Sequence, residues 1–241
     1  MLAEWLADGA LHAPYAYVAA ATVAWFALIY AVIAGGAYLF ALDVLPDAIT
    51  GESGRTQRLR PGQLREELLL SACSILVFAA QAVGLVWMLR AGWVQIAWER
   101  PLWHLLWEMP LLYFWNEVHF FVVHRLLHWA PLYRAVHIWH HRSVVTTPFS
   151  GYSFHPLESF LLGLVMPLAL LLMAFSPWAL LGLTLMSLAL NVSGHLPHEH
   201  VVRGHLFILA RAHSRYHNLH HREFRVHYAF SLPLLDRWIR I

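Results

Sequence analysis

The stretch HFFVVHRLLHWAPLYRAVHIWHH, residues 119–141, decides how the chain folds. An apolar run ends in His124 and His128, four residues apart, and an HxxHH motif follows at residues 137–141. Residues three and four apart share a face of an α-helix, with β-carbons about 5–6 Å apart. The stretch therefore predicts a membrane helix that carries metal-ligating side chains at its end.

The composition places the chain in a membrane. Of 241 residues, 59% are hydrophobic and 12% are charged, and all sixteen basic residues are arginine. This composition excludes an ordinary soluble domain, and a formal charge of +2 excludes a strongly basic nucleic-acid-binding protein, so no nucleic acid partner is expected. Because Cys73 is the single cysteine, an internal disulfide and a cysteine-based metal site are excluded as well.

Apolar stretches comparable to the thickness of a membrane recur along the chain. A helix needs about 20 apolar residues to cross a bilayer. We predict spans at 15–42, 68–89 and 102–123, and a membrane hairpin at 157–190 whose two arms are short for full crossings. No basic residue precedes the first span, so a cleaved signal peptide is not expected. The predicted fold is all-α: a multi-pass helical membrane protein with four to five membrane segments and a cytoplasmic histidine-rich helical cap.

The arginines predict the orientation in the membrane. With the N-terminus outside, all sixteen except Arg90 and Arg100 lie on the cytoplasmic side, as the positive-inside tendency requires. Residues 1–116 then hold N-terminal membrane helices and a basic cytoplasmic loop, and residues 117–241 hold a histidine-rich domain that includes the hairpin. The exclusive use of arginine suggests a GC-rich bacterial genome, and hence a bacterial inner membrane with the site facing the cytoplasm.

The histidine spacing recurs later in the chain. HNLHH at 217–221 repeats the HxxHH spacing, and His195 follows the last apolar stretch. A single HxxxH pair is more often structural than a metal site, but three such groups on one side of a membrane need compensating partners near hydrocarbon. We therefore predict a metal site. The candidate ligands are His124, His128, His137, His140, His141, His195, His217, His220 and His221.

Nine imidazoles exceed the four ligands of one zinc ion and suffice for two metal ions. Imidazole binds zinc, copper, iron and nickel, so the ligand type alone leaves the metal open. A carboxylate or carbonyl should orient each ring. The nearby carboxylates, each of which could equally be an ordinary interfacial or capping group, are Glu117, Glu158, Glu199 and Asp236.

These motifs resemble those of the fatty acid hydroxylase and sterol desaturase superfamily, which consists of integral-membrane di-iron enzymes. HRLLH at 124–128, HIWHHRS at 137–143 and HNLHH at 217–221 are similar to its three histidine boxes. The resemblance covers about residues 117–236. Further similar elements are FHPLE at 154–158, NVSGH at 191–195 and LDRW at 235–238, whereas His227-Tyr228-Ala229 replaces an Asn-aromatic-Gly turn.

The resemblance implies that residues 117–241 form a di-iron catalytic domain with two iron ions and O2 as co-substrate. Two electrons would come from a separate donor, a ferredoxin- or cytochrome-type protein. The substrate would be a membrane lipid or lipid-like molecule such as a fatty acyl chain, a sterol or hopanoid, or a carotenoid, which the enzyme hydroxylates or desaturates. The resemblance also places His155 and Asn191 near the site, as residues that support the ligands.

Other classes of membrane metalloprotein remain alternatives. Haem ligands usually pair across facing helices within the bilayer, whereas these histidines lie at the ends of spans. A zinc-dependent hydrolase needs fewer ligands. A metal transporter would need ionisable groups inside several spans, and a non-enzymatic scaffold would leave the repeated HxxHH spacing unexplained.

Overall fold

The structure is a computed structural model that describes residues 2–44, 59–196 and 208–238. Every regular element in these ranges is helical, which confirms the predicted fold class. The α-helices are α1 (Leu2–His12), α2 (Tyr15–Tyr30), α3 (Gly36–Val44), α4 (Gln63–Arg90), α5 (Leu105–Leu127), α6 (Ala130–Leu132), α7 (Ile138–His141), α8 (Pro156–Gly163), α9 (Val165–Leu172), α10 (Pro177–Gly194), α11 (Ile208–Glu223) and α12 (Leu234–Trp238). Shorter π-helical turns lie at Ala31–Gly35 and Tyr133–His137, and 3-10 turns at Leu102–His104 and Pro148–Tyr152.

Three helical segments in the described ranges are long and apolar enough to cross a membrane. They are Tyr15–Phe40, Gln63–Arg90 and Pro177–Gly194, with 26, 28 and 18 residues. At a rise of 1.5 Å per residue, a helix of about 20 residues matches the roughly 30 Å hydrocarbon core of a bilayer. The chain is therefore a multi-pass integral membrane protein, as the apolar stretches predicted.

The span predicted at 102–123 corresponds to α5, which is 23 residues long but is not among those three segments. Glu108, Asn116 and Glu117 lower its hydropathy, and all three side chains are buried inside the protein. Helix α5 runs through residue 116 without a break. The division of the chain between residues 116 and 117 stays a prediction.

The hairpin predicted at 157–190 has unequal arms. The first arm, Pro156–Leu172, consists of the short helices α8 and α9, while the second arm is the full-length α10. Helix α10 continues past the apolar run to Gly194, and within this extension the Nδ2 of Asn191 donates to the carbonyl of Ser187 at 3.0 Å. His195 is the residue that directly follows this extension.

Helix α10 packs in both of the larger apolar clusters. One cluster includes Tyr30 of α2, Ile75 of α4 and Leu188 of α10. The other includes Leu112 of α5 and Leu183 of α10, together with residues of α9. Within a bilayer, such helices are held together by van der Waals packing of these side chains rather than by removal of apolar surface from water. Because α10 belongs to both clusters, its C-terminal end is held firmly where His195 follows.

Glu67 fastens α4 to the segment that follows α7. Its Oε1 accepts hydrogen bonds from Gln63 Nε2 at 2.8 Å and from Ser143 Oγ at 2.7 Å, and its Oε2 accepts from Thr147 Oγ1 at 2.5 Å. The carboxylate is buried. Helix α4 begins at Gln63 rather than at the predicted Leu68 because these polar side chains find partners inside the protein.

The Glu67 contacts predict a large difference between two adjacent glutamates. In Glu67→Ala, three donors lose their acceptor, and each buried unpartnered group costs about 1–3 kcal/mol. We expect the free energy of unfolding of the purified protein in detergent to fall by roughly 3 kcal/mol or more. The matched control is Glu66→Ala, because Glu66 makes partly exposed ion pairs with Arg60 and Arg142. Such pairs contribute about 0–1 kcal/mol, so equal losses in both variants would contradict this account.

Candidate metal centre

Helix α5 positions the first two histidines of the centre. His124 lies in the last turn of α5, and His128 is the C-cap residue of the same helix. Their four-residue spacing places both rings on one face, with ring centroids 4.9 Å apart. His124 is buried and His128 is half-buried.

The second histidine motif begins at the last residue of the π-helical turn Tyr133–His137 and continues through α7, and its rings point in two directions. Successive residues of an α-helix point about 100° apart, whereas residues i and i+4 share a face. His137 and His141 therefore face α5, and the ring centroids of His137 and His128 are 4.8 Å apart. The ring of His140 points instead toward His195, at 5.1 Å between centroids.

The third motif, at the end of α11, divides its rings in the opposite way. His217 and His221 face His195, with ring centroids 4.4 Å and 5.1 Å from it. His220 packs against His124, at 4.6 Å between centroids. Each HxxHH motif thus gives its i and i+4 rings to one group of histidines and its i+3 ring to the other.

The nine histidines selected from sequence spacing all lie in two groups of converging ring nitrogens. Within each group, one nitrogen of every ring lies within 4.8 Å of the others. The groups adjoin, since the ring centroids of His141 and His221 are 4.6 Å apart. The five-histidine group is His124, His128, His137, His141 and His220, and the four-histidine group is His140, His195, His217 and His221.

In the four-histidine group, backbone carbonyls fix the tautomers of two rings. The Nδ1–H of His140 donates to the carbonyl of Ser153 at 3.3 Å, and the Nδ1–H of His195 donates to the carbonyl of Asn191 at 2.6 Å. A carbonyl only accepts, so in each neutral ring the Nε2 carries a lone pair. The Nε2 atoms of these two rings lie 3.3 Å apart. Two lone pairs therefore face each other without a proton between them.

The five-histidine group is anchored in the same way. The Nδ1–H of His124 donates to the carbonyl of Tyr228 at 2.8 Å, and the Nδ1–H of His220 donates to the carbonyl of Val226 at 2.6 Å. The Nε2 of His220, which then bears a lone pair, lies 3.1 Å from the Nε2 of His128. Ring nitrogens with free lone pairs thus converge in both groups.

Burial keeps these rings neutral. Desolvation lowers the pKa of His140 and His220 well below the usual value, and neighbouring histidines lower it further. Desolvation also lowers the pKa of His195 to about 4 and that of His128 to about 3. Protonation therefore does not relieve the facing lone pairs at neutral pH.

A metal cation fits the two groups of nitrogens. Two nitrogen ligands that each lie about 2.1 Å from one ion are roughly 3.0–3.4 Å from each other. The Nε2–Nε2 contacts measured between His128 and His220 and between His140 and His195 are 3.1 Å and 3.3 Å. A cation accepts several lone pairs at once, so the donor set is suited to metal binding.

Glu158 is the predicted supporting carboxylate that contacts a ring directly. It is buried, and its Oε1 lies 2.8 Å from Nδ1 of His137. His155, also predicted to support the site, lies instead at the start of α8, where its Nδ1 accepts from the backbone N–H of Leu157 at 3.2 Å. Glu199, the further candidate on the same sequence argument, lies outside the described residues.

Glu117 and Asp236 hold the turn that follows α11. Asp236 accepts from the backbone N–H of Tyr228 at 3.1 Å, which fixes the residue whose carbonyl binds His124. Glu117 accepts from the backbone N–H of Ser231 at 3.0 Å and from its hydroxyl at 2.5 Å. Asp236 therefore supports the five-histidine group through the backbone of Tyr228, while Glu117 holds the same turn at Ser231.

Three ring anchors are backbone carbonyls that sequence reasoning missed: those of Ser153, Val226 and Tyr228. Because every residue has a carbonyl, only the folded backbone selects these three. Phe224 and His227 adopt φ angles of 60° and 62°. This left-handed conformation folds the chain back after α11 and brings the two later carbonyls to the rings. The unusual sequence at 227–229 was the available signal for such a turn.

An apolar cavity of about 360 Å³ adjoins the histidine groups. It lies among α2, α4, α5, α8, α9 and α10, and its volume is in the range of about 300–1,000 Å³ that holds small molecules in proteins. It shares wall residues with a small pocket between the histidines, which His124, His140 and His195 line. The shared residues are Phe120, Phe154, Leu162 and Asn191.

Comparison with known proteins identifies one matching family model. The model described as fatty acid hydroxylase matches residues 109–240, more than half of the chain. The match includes all nine histidines of the two groups. No solved structure matches the chain.

Several curated relatives are fungal proteins named Delta(7)-sterol 5(6)-desaturase. The Candida glabrata protein is 26% identical over 227 residues, which cover 87% of this chain and 56% of the relative. The Gibberella zeae protein is 29% identical over 140 residues, or 56% of this chain and 38% of the relative. A Saccharomyces cerevisiae protein is 46% identical over 48 residues, or 20% and 13%. The chain thus spans about half the length of the longest-matching of these relatives.

The contacts of His155 and Glu158 predict different effects of substitution. In Glu158→Leu, Nδ1 of His137 loses its partner, and such losses typically weaken metal affinity about 10–100-fold. In His155→Ala, only a helix cap is lost, which costs about 1 kcal/mol of stability. We expect competition with a chelator to remove metal from Glu158→Leu far more easily than from the wild type or His155→Ala. Equal metal retention in both variants would show that Glu158 does not support the centre.

Proposed function

Because the chain belongs to the fatty acid hydroxylase family, we propose that it is a membrane oxidoreductase that uses O2 to hydroxylate or desaturate a lipid-like substrate at two histidine-held iron ions. The observation that carries this proposal is the convergence of nine neutral imidazoles beside an apolar cavity. The iron pair, when bound, would supply the redox chemistry that an unactivated C–H bond requires. The side chains of the protein would hold the metal ions, orient the substrate and exclude water.

The two histidine groups would hold one iron ion each. The lone-pair contacts favour a cation in each group, and the family favours iron over the other metals that imidazole binds. A haem protein is disfavoured because a haem iron accepts at most two axial ligands from the protein, whereas five and four rings converge here. A single zinc ion needs about four ligands and would leave five buried rings unexplained.

The residues around the groups orient the rings and the substrate. The carbonyls of Ser153 and Tyr228 hold Nδ1–H groups, so that the opposite ring nitrogens stay available to metal. The shared wall residues Phe120, Phe154 and Leu162 lead from the cavity to the histidines and exclude water from the path. A lipid in the cavity would thus present a C–H bond to the centre.

The overall reaction balances in either form. In hydroxylation, a C–H bond, O2, two electrons and two protons give C–OH and one water molecule. In desaturation, the same O2, electrons and protons remove two hydrogens from adjacent carbons and give a C=C bond and two water molecules. A separate ferredoxin- or cytochrome-type donor would supply the electrons.

A sterol-like ring lipid is the substrate class that the relatives favour, since their names describe sterol desaturation. Fatty acyl chains, hopanoids and carotenoids share the same apolar character, and the cavity wall is apolar. We place the active site on the cytoplasmic side of the membrane, where the arginine distribution puts the histidine motifs. The bacterial inner membrane stays a prediction, to which the fungal relatives add no support.

Substitution of one histidine from each group tests the proposal. We expect the anaerobically loaded wild type to hold about two iron ions per chain, with no Soret band. His140→Ala, from the four-histidine group, and His220→Ala, from the five-histidine group, should each lose iron and activity. Activity is measured by lipid profiling of an expressing host, as a gain of one oxygen or a loss of two hydrogens.

The control for these variants is His12→Ala, because the His12 side chain is exposed and lies outside both groups. It should keep wild-type iron content and activity. Full activity in both His140→Ala and His220→Ala would end the proposal, as would a wild-type protein that binds no iron.

A further inference from the structure

Asn116 presents a polar group in the cavity wall that the protein does not itself satisfy. Its side chain is only 4% exposed, and its Nδ2 has no hydrogen-bond partner within the described part of the chain. A buried amide without a partner is destabilising, and few such groups occur in folded proteins. Asn116 lines the cavity, so a molecule bound there can supply the missing partner once the side-chain amide turns its Nδ2 toward that space.

Several other polar side chains in the cavity wall are already engaged by the protein. The hydroxyls of Thr22 and Thr184 each donate to a carbonyl of their own helix at 2.8 Å. Asn191 also donates within its helix. Gln81 has an unpartnered Oε1, but its Nε2 binds the carbonyl of Phe160 at 2.9 Å and fixes the amide against α8. Asn116 is therefore the amide best placed to serve a ligand.

The position of Asn116 on α5 relates it to the histidine groups. Asn116, Phe120 and His124 follow one another at four-residue intervals, so they lie along one side of the helix. Asn116 and Phe120 line the cavity, and Phe120 and His124 line the small pocket between the histidines. Eight residues of α-helix rise about 12 Å. Along α5, the polar side chain of Asn116 is thus followed by the apolar ring of Phe120 and then by the ring nitrogen of His124, a candidate metal ligand.

We infer that Asn116 binds the polar group of an otherwise apolar substrate, a hydroxyl or carbonyl oxygen, and so sets which carbon reaches the histidine groups. An amide both donates and accepts hydrogen bonds, so either oxygen satisfies it. This inference deepens the proposed function and rests on it for the oxidation, but the binding contact itself requires no metal.

Competition between matched lipids tests the contact. The probes are cholesterol against its 3-deoxy analogue, and 1-octadecanol against octadecane, offered in equal amounts to the full chain in detergent. The ratio of bound probes is read by native mass spectrometry. We expect the wild type to prefer a hydroxylated probe, and Asn116→Leu, which removes the amide at similar volume, to lower that preference about tenfold.

Two further variants and a stability measurement complete the test. Thr184→Val should keep the wild-type ratio because the Thr184 hydroxyl is already bonded within the protein. Asn116→Ser, which retains a donor, should keep part of the preference. Because the amide has no partner, Asn116→Leu should leave Tm unchanged or raised. An unchanged probe ratio in a folded Asn116→Leu, or a fall in its Tm, would overturn the inference.

This outcome is separable from that of the proposed function. Probe binding needs neither iron nor O2, so a protein without iron can still show the Asn116 preference. A protein that binds iron and oxidises lipid, but whose probe ratio is the same in Asn116→Leu, overturns only the inference. Where oxidation is observed, Asn116→Leu should spread the product over several carbons, because the substrate is no longer held at a fixed distance.

Discussion

The structure depends on keeping nine imidazoles neutral and close together, eight of them buried, so that ring nitrogens with lone pairs converge in two groups. Such an arrangement is unfavourable without a cation, and each ring would rotate away unless something held it. The carbonyls of Asn191, Val226 and Tyr228 hold three of the rings through Nδ1–H, and Asp236 in turn holds the backbone of Tyr228. The surrounding hydrogen bonds therefore hold the rings in an arrangement that is suited to a cation.

Sequence spacing predicted much of this arrangement because helical periodicity is local. The three histidine motifs, the first two spans and the second arm of the hairpin follow from positions in the chain. Glu158 was one of four candidate carboxylates, and only the structure pairs it with His137. The remaining features depend on tertiary structure. A carbonyl such as that of Ser153 has no sequence signature, and the absence of a partner for Asn116 is visible only once the neighbouring helices are in place. The family resemblance placed His155 near the site, and in the structure its ring caps α8.

The two histidine groups explain why the motif is HxxHH rather than HxxxH. With HxxxH alone, a helix would give both rings to one group, whereas the additional i+3 ring lies on the adjacent face and reaches the other group. Because the two HxxHH motifs make opposite divisions, each group draws rings from both motifs: His140 joins the pair from α11, and His220 joins the pair that includes His141. Neither group can be assembled from one helix, which requires the two helices to dock before either is complete.

Two parts of the chain form the cavity wall: the first two spans, and the region that holds the histidines. Trp25, Phe78 and Gln81, from the first two spans, line it, but they precede residues 109–240, which match the family model and hold every histidine of the centre. The first two spans therefore shape part of the cavity, while a separate part of the chain holds the histidines. A chimaera that takes its first two spans from a relative would change the cavity wall and leave every histidine of the two groups in place.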